Sequence, residues 1–324
     1  MPLTAPPCPA WHAKAAGDFN GDGFSDILWQ NDSGEVAIWE LNGTNVIGGG
    51  SLGNPGPSWH AIGTGDYNGD GFSDIRFQNS SGDVAEWFLN GTNVTSTSTA
   101  ANPVVWHLEG NSSPYFAASA DLPWQSDRQD IFLQNDSGEA YFWATNGIKL
   151  TANGSLGNPG PAWHLKATGD FNADGSPDLL WQNDDGSAAV WETNGAGVIG
   201  SGVLGNPGPS WHVKGTGDFN GDGFSDILWQ NDDGSVAIWE MHGTNMIGAG
   251  VVGNPGPSWQ AKGAGDFNGD GRADILWQND SGEAAIWEMN GTNVIGAASL
   301  GNPGPDWHIM GVGDYNNDGK SDIL

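Results

Sequence analysis

Six short loops rich in aspartate and asparagine recur along the chain and offer oxygen ligands for a metal ion. The first loop, DFNGDGFSD, begins at Asp18 and places side-chain oxygens at its first, third, fifth and ninth positions. Gly23 at the sixth position permits a sharp bend, and the carbonyl of Phe24 adds a further oxygen. Oxygen ligands without His or Cys favour Ca²⁺ over zinc. The sequence therefore predicts a calcium site in each loop.

The predicted calcium ligands occupy equivalent positions in all six loops. They are Asp18, Asn20, Asp22, Phe24 and Asp26; Asp66, Asn68, Asp70, Phe72 and Asp74; Asp170, Asn172, Asp174, Ser176 and Asp178; Asp218, Asn220, Asp222, Phe224 and Asp226; Asp266, Asn268, Asp270, Arg272 and Asp274; and Asp314, Asn316, Asp318, Lys320 and Asp322. The alternative is that the Asp and Gly residues only form Asx turns. We favour about six bound Ca²⁺, because carboxylates crowded together without a cation repel one another strongly.

One repeat departs from the pattern. Its loop, DLPWQSDRQD from Asp121, lacks the Asn and the Gly and contains Arg128. We expect this loop to be free of metal, with Arg128 supplying the missing positive charge.

The loops belong to a repeat of 48 residues. In the unit that begins at Trp211, turn residues separate four strand-like segments, WHVKGTGD, DILWQN, SVAIWEM and NMIGAGVVG. A four-stranded sheet of this kind cannot bury both faces until neighbouring sheets pack on each side. Four short strands in each repeat are therefore typical of a β-propeller blade.

The repeats predict a Pro-rich segment over residues 1–10 and a single all-β propeller over residues 11–324. First and second strands occur seven times, whereas third and fourth strands occur six times, and the sequence stops inside a second strand at Leu324. We favour seven blades of four antiparallel strands with the last blade incomplete in this chain. Six blades are the alternative, since a half-built blade leaves an open sheet edge.

Composition excludes several classes of protein. The net charge of -30 repels phosphate and argues against nucleic-acid binding. The 18 Trp residues argue against a disordered acidic tail, and no apolar run is long enough to predict a membrane span. A single cysteine, Cys8, excludes an internal disulfide framework.

The DFNGDGFSD loop between first and second strands resembles the FG-GAP/VCBS repeat of integrin α-subunit propellers, bacterial secreted proteins and certain fungal lectins. The resemblance covers the chain from Trp11 to Leu324. It implies a seven-bladed propeller with calcium at the Asp and Asn positions. It also implies a secreted or cell-surface protein that acts in adhesion or glycan binding.

A second group of conspicuous residues is predicted on the face opposite the calcium loops, because the turn between strands two and three lies at the other end of the sheet. The candidate ligand-binding residues are Trp59, His60, Gln30, Asn31 and Asp32, with Trp211, His212, Gln182 and Asn183 in another repeat. An indole beside amide, carboxylate and imidazole groups suits a sugar, whose ring face stacks while its hydroxyls form hydrogen bonds. Repetition of the site predicts multivalent carbohydrate binding.

Other interpretations remain open at this point. The Trp residues, Trp39 and its equivalents above all, fill the space between blades if their role is packing, and the His residues then only line a central channel. A protein-binding or structural part of a surface or filament assembly is the alternative function. We expect no enzyme, because no nucleophile or catalytic triad stands out. A catalytic site would lie in the odd third repeat, around Glu109, Asn111–Tyr115, Asp121, Trp124 and Asp127.

Overall fold

The computed structural model describes residues 11–100, 106–107, 129–146, 149–195, 197–316 and 318–324. The Pro-rich segment 1–10 and residues 108–128 of the odd third repeat, including its Asp121 loop, lie outside these residues. The described chain forms six four-stranded sheets and one two-stranded sheet. The predicted all-β propeller of four-stranded antiparallel blades is confirmed, with six complete blades, the number given above as the alternative.

The strands follow the order of the sequence within each sheet. First strands are β1 (Trp11–Gly17), β5 (Trp59–Gly65), β9 (Trp106–His107), β13 (Trp163–Gly169), β17 (Trp211–Gly217) and β21 (Trp259–Gly265). Second strands are β2 (Asp26–Asn31), β6 (Asp74–Asn79), β10 (Gln129–Asn135), β14 (Asp178–Asn183), β18 (Asp226–Asn231) and β22 (Asp274–Asn279). Third strands are β3 (Val36–Asn42), β7 (Val84–Asn90), β11 (Ala140–Asn146), β15 (Ala188–Thr193), β19 (Val236–His242) and β23 (Ala284–Asn290). Fourth strands are β4 (Asn45–Gly53), β8 (Asn93–Ala100), β12 (Lys149–Gly157), β16 (Val198–Gly205), β20 (Asn245–Gly253) and β24 (Asn293–Gly301).

The first strands line the inside of the ring. Strand β1 contacts β5, β13 contacts β17, and β17 contacts β21, so consecutive first strands are neighbours in space. The fourth strand of each sheet is therefore the outer edge. Among the described residues, no helix is long and apolar enough to cross a membrane.

The seventh repeat contributes a two-stranded sheet of β25 (Val312–Gly313) and β26 (Asp322–Ile323). On one side, the Ser321 backbone N–H donates to the Asp266 carbonyl of the sixth blade at 2.7 Å. On the other side, the Ser25 N–H of the first blade donates to the Tyr315 carbonyl at 3.0 Å. The hairpin thus lies between the sixth blade and the first and joins the two ends of the ring.

The hydrophobic core lies between blades rather than inside a single sheet. In one cluster, Leu228 and Ile238 of the fifth blade pack with Ile275 and Trp277 of the sixth, all of them nearly or fully buried. Trp87, Trp239 and Trp287 on third strands pack against such clusters. These contacts are the ones that the packing interpretation of the third-strand Trp residues predicts.

A glutamine at the next-to-last position of the second strand joins five of the six blades to the next repeat. The amide of Gln230 donates to the Trp259 carbonyl at 2.6 Å and accepts the Ala261 N–H at 3.1 Å. The same pair of bonds is made by Gln30, Gln134, Gln182 and Gln278. Because both ends of the amide are used in a buried joint, this residue holds two blades in register.

Replacing the joint residue Gln230 with Leu is expected to destabilise the propeller by about 1–3 kcal/mol, because a carbonyl and an N–H at the joint lose their partners. Urea unfolding measures the effect. The matched control is Gln260→Leu, a half-buried glutamine on the neighbouring strand β21 whose loss is expected to change stability by less than about 0.5 kcal/mol. Equal effects of the two variants would show that the joint contributes nothing specific.

The second blade contains a buried ion pair that the other described blades lack. Arg76 on β6 pairs in register with Glu86 on β7, and their side chains meet at 2.7 Å and 3.0 Å. The Arg76 guanidinium also lies 4.0 Å from the ring centre of Tyr67. The corresponding pair is Leu with Ile in the first, fifth and sixth blades. A polar pair therefore replaces an apolar contact at one place in the ring.

Candidate functional site

The predicted calcium loops are tight turns held by their own aspartates. In the first loop, Asp18 accepts hydrogen bonds from the backbone N–H groups of Gly21, Asp22 and Gly23. Gly23 has a φ of 86°, a left-handed conformation that favours glycine and confirms the predicted bend. The aromatic residue after Asp18, Phe19, is fully buried and anchors the loop in the core. These hydrogen bonds and the buried Phe19 ring therefore define the loop conformation without a metal ion.

The ninth residue of the loop is buried at the start of the second strand. Both carboxylate oxygens of Asp26 accept backbone N–H bonds, one from Phe19 at 2.9 Å and one from Leu41 at 2.7 Å. Burial raises the pKa of Asp26 to about 6, against the effect of these two hydrogen bonds, and the nearby carboxylates of Asp18 and Asp22 raise it further. Burial likewise raises the pKa of Asp74, Asp178 and Asp226 to about 7. A bound cation would stabilise the ionised form of this buried carboxylate against the effects of burial and of the two nearby carboxylates.

The donor chemistry of these loops fits Ca²⁺, but their side chains are not drawn together around one point. An ionised carboxylate has about four acceptor positions, and Asp18 uses three of them for N–H groups while Asp26 uses two. In the described residues, no three His, Cys, Asp or Glu side chains are gathered as a metal site. The hydrogen bonds are those of Asx turns. Calcium binding thus requires the Asp22 and Asn20 side chains to turn inward, and it stays a proposal.

The seventh loop position brings neighbouring loops into contact. A Cβ added to Gly21 would meet the Phe72 ring at 2.8 Å, and one added to Gly269 would meet Lys320 at 3.0 Å. Arg272 lies beside Gly221 in the same way and is 3.5 Å from Asp270. The side chain at the seventh loop position therefore covers the loop of the preceding blade. Only the backbone carbonyl of this seventh residue is available as a metal ligand. The Asp121 loop, predicted to be free of metal, lies outside the described residues.

The other face of the ring carries clefts between blades. One cleft of about 290 Å³ lies between the first and second blades. It is lined by His12, Lys14, Gln30, Asn31, Asp32, Gly34, Pro57, Trp59 and His60. The structure thus brings together all five ligand-binding residues that the sequence predicts for this pair of repeats.

A second cleft of about 220 Å³ lies between the sixth blade and the seventh repeat. Its lining residues are Gln260, Lys262, Gln278, Asn279, Asp280, Gly282, Pro305, Trp307 and His308. The exposed fraction of Trp307 is 67%, so a large indole face is open to solvent there. The two clefts are built from the same repeat positions.

Three blades each carry an imidazole–carboxylate pair at the protein surface. The Nε2 atom of the imidazole lies 2.8 Å from a carboxylate oxygen in His12–Asp32, His164–Asp184 and His212–Asp232. The carboxylate of each pair is largely solvent-exposed, and the imidazole is partly exposed. Such pairs offer hydrogen-bond donors and acceptors to a ligand at the surface.

Several predicted ligand-binding residues have structural partners instead. The Gln30 and Gln182 amides are buried and join neighbouring blades, so they position Trp59 and Trp211 rather than reach into solvent. The Asn31 side chain accepts the Ser33 and Glu35 N–H groups and so caps its turn. Asn183 accepts the Asp185 N–H in the same way. The exposed groups left for a ligand are the indole edges, the His–Asp pairs and His60.

A comparison with protein-family models supplies the decisive observation. The FG-GAP-like repeat model matches residues 18–76, 170–229, 218–277 and 266–324, which together make up more than half of the chain. The chain belongs to the FG-GAP-like repeat family. The family model begins in each case at the first Asp of a predicted calcium loop. The resemblance inferred from DFNGDGFSD is thereby confirmed.

The FG-GAP-like propeller is also similar in fold to proteins of known structure. A crystal structure of Chaetomium thermophilum Raptor superposes with a TM-score of 0.55 at 9% sequence identity, and covers 95% of this chain and 27% of the Raptor chain. The C-terminal WD40 domain of Sif2 superposes with a TM-score of 0.52 at 12% identity, and covers 97% of this chain and 95% of that domain. At this identity, the likeness shows the propeller fold alone. None of the curated proteins matches the FG-GAP-like propeller in sequence.

Sequence reasoning missed one set of residues in the clefts of the FG-GAP-like propeller. Lys14 and Lys262 line the two clefts, and both stand four residues into a first strand. Their signal was available, because Lys recurs at this position in Lys166 and Lys214. In a chain with 9 Lys and Arg residues, four at a single repeat position are conspicuous.

Proposed function

We propose that this FG-GAP-like propeller is a non-catalytic, calcium-stabilised extracellular binding module whose clefts between blades bind carbohydrate. The observation that carries the proposal is the cleft between the first and second blades, where Trp59 and His60 meet the His12–Asp32 pair. An apolar ring beside planar polar groups is the composition of a sugar site. The volume of about 290 Å³ suits one sugar residue rather than a long chain.

Repetition supports a multivalent mode of binding. The second cleft repeats the lining of the first around Trp307 and His308, and the His–Asp pairs recur in the fourth and fifth blades. Shallow, exposed sites bind single sugars weakly. Several such sites on one rigid ring raise the overall strength on a surface that displays many copies of the sugar.

Calcium has a structural role in this proposal. The Asp-rich loops lie at the end of the blades away from the clefts, so the cation would hold the loops and would not touch the sugar. Weak calcium sites are filled where calcium is plentiful, as it is outside cells. The extracellular setting is therefore proposed together with the metal.

The binding test compares two imidazoles on opposite faces of the ring. Saturation-transfer NMR and a broad glycan array on calcium-loaded protein are expected to detect binding. Replacing His60 with Ala is expected to weaken binding at the first cleft several-fold, because the cleft loses a hydrogen-bonding group. The matched control is His242→Ala, since His242 is exposed at the calcium-loop end beside Phe224.

Trp59→Ala tests the indole directly. Because Trp59 also packs against a buried cluster, the melting curve of this variant must be recorded beside its binding. Absence of any sugar signal from the array and from NMR would contradict carbohydrate binding.

A protein-binding role in a surface or filament assembly is the second candidate, and a separate observation favours it. The outer strands begin with exposed aliphatic pairs, which are Val46–Ile47, Val198–Ile199, Met246–Ile247 and Val294–Ile295. Repeated apolar residues on a rim are a feature of contact surfaces between proteins. Sedimentation of the protein alone, together with the glycan array, separates this role from sugar binding.

A further inference from the structure

Four of the chain's nine Lys and Arg residues share one position in the first strand of a blade. They are Lys14, Lys166, Lys214 and Lys262, and the register with the second strand shifts at each of them. Such a shift marks a β-bulge, which takes the extra residue out of the normal alternation of side chains. The bulge therefore aims the same kind of side chain in the same direction in four blades.

Three of these lysines, Lys14, Lys214 and Lys262, lie against the next repeat along the ring, where the clefts are. Lys14 lines the first cleft with His12 and His60, and Lys262 lines the second with His308. The ammonium of Lys214 donates to the Gln260 side chain at 3.5 Å, and Gln260 stands where His60 stands in the second blade. A cation thus faces the polar groups of the neighbouring first strand.

Carboxylates share the clefts with these lysines but do not pair with them: Asp32 lines the cleft of Lys14, and Asp280 lines that of Lys262. In the described part of the chain, none of the four forms a salt bridge with a carboxylate. Burial lowers the pKa of Lys214, the nearby Lys262 lowers it further, and Asp232 opposes both effects. All four side chains are half-buried. In a protein with a net charge of -30, unpaired and partly desolvated cations are an unusual arrangement.

We propose that the Lys-bearing clefts bind the anionic group of an acidic sugar, with the lysine ammonium contacting its carboxylate or sulfate. The inference rests on the proposed carbohydrate binding and adds the charge of the ligand. Lysine offers three donors on a compact charge, and the imidazoles beside it add further donors. The indole of the next blade is left for the sugar ring.

The repeats themselves provide natural neutral counterparts. Ile62 takes the lysine position in the second blade, and Met310 takes it in the seventh repeat. Where either of these repeats supplies the first strand of a cleft, the lysine position carries no ammonium group. Methionine is therefore a substitution that the fold already accepts at the lysine position.

The experiment measures binding of matched acidic and neutral monosaccharides to calcium-loaded protein by NMR titration. Glucuronate and glucose 6-sulfate are the acidic probes, and glucose is the neutral one. Wild-type protein is expected to bind both acidic probes about tenfold more tightly than glucose, because a charge-assisted hydrogen bond is added. Raising the salt concentration is expected to reduce this preference.

The variant that tests the assignment replaces Lys14, Lys166, Lys214 and Lys262 with Met. It is expected to lose the preference for acidic probes and to keep the weaker binding of glucose. Lys14→Met alone is compared with Lys149→Met, which removes a lysine from the outer strand β12. Circular dichroism melting confirms that each variant is folded.

The outcomes distinguish the proposed carbohydrate binding from the proposed preference for acidic sugars. Equal binding of glucose and glucuronate to the wild type, or an acidic preference that survives in the fourfold variant, overturns the charge selection and leaves carbohydrate binding standing. Inorganic sulfate that binds as tightly as glucose 6-sulfate shows an anion site without sugar recognition, and overturns the acidic-sugar assignment. No binding of any sugar overturns both proposals.

Discussion

Removing calcium is expected to lower the melting temperature of this propeller by on the order of 10 °C or more. Each proposed loop contains three aspartates, and the one at the ninth position, as in Asp26, is buried without a positive partner. A ligand present at about 100 times its dissociation constant stabilises the folded state by about 2.7 kcal/mol per site. The measurement is calorimetry of protein with added Ca²⁺ and after exhaustive chelation. Elemental analysis must confirm that the metal has left; an unchanged melting curve would then contradict the calcium scaffold.

The control is the dependence of folding stability on pH, which we expect to have opposite signs in the calcium-loaded and the metal-free protein. The pKa of Asp74, Asp178 and Asp226 is raised by burial to about 7, well above the value of about 3.9 in an unfolded chain. The folded, metal-free protein therefore binds protons more tightly than the unfolded chain, and it gains stability as the pH falls from about 8 to about 5. The calcium-loaded protein is expected to lose stability over the same range, because protons compete with the cation. Parallel curves would show that these carboxylates bind no metal.

Replacing Arg76 with Leu is expected to destabilise the second blade by about 3–5 kcal/mol. The substitution leaves the Glu86 carboxylate buried without its cationic partner, since Glu86 is only 7% exposed. The double variant Arg76→Leu/Glu86→Ile installs the pair that the first, fifth and sixth blades already contain. It is expected to be as stable as the wild type or up to about 4 kcal/mol more stable. The reason is that the attraction within a buried ion pair offsets the lost hydration of the two charges only in part.

Urea unfolding of the single and double variants measures this difference. The informative quantity is the recovery on adding Glu86→Ile to Arg76→Leu, since both proteins lack the guanidinium. A double variant as unstable as the single one would mean that Arg76 holds the blade through Tyr67, whose ring lies 4.0 Å away, rather than through Glu86.

The sequence predicted the fold well because the signals for the fold are local. Alternating side chains and turn residues gave the four strands of the unit from Trp211, and the structure places them at β17–β20. The incomplete seventh repeat was also visible in the sequence and forms the hairpin β25–β26. What the sequence did not show was the joint between Ser25 and Tyr315, because closing the ring depends on contacts between its most distant repeats.

The candidate site was predicted less completely, because its geometry depends on contacts between repeats. The sequence pattern predicts that Gln30 binds a ligand, whereas its amide forms hydrogen bonds with the backbone of Trp59 and Ala61, about thirty residues away in the sequence. No local pattern distinguishes an amide that meets a sugar from one that meets the next blade. The Arg76–Glu86 pair did leave a signal, since both residues break the repeat at positions where other units carry Leu and Ile. Two simultaneous and opposite charges at such positions indicate a contact.

That ion pair also bears on how a chain of near-identical repeats avoids exchanging its strands during folding. The second strands of the first, fifth and sixth blades all read DILWQN, so any of them can pair with another's third strand through the same side chains. Misassembly between repeats is a characteristic failure of such proteins. Strand β6 is different, because beside any of these third strands Arg76 would face Ile38, Ile238 or Ile286 and bury its charge alone. Of the six third strands that the structure describes, only β7 offers it a carboxylate at this register, which favours pairing of β6 with its own neighbour.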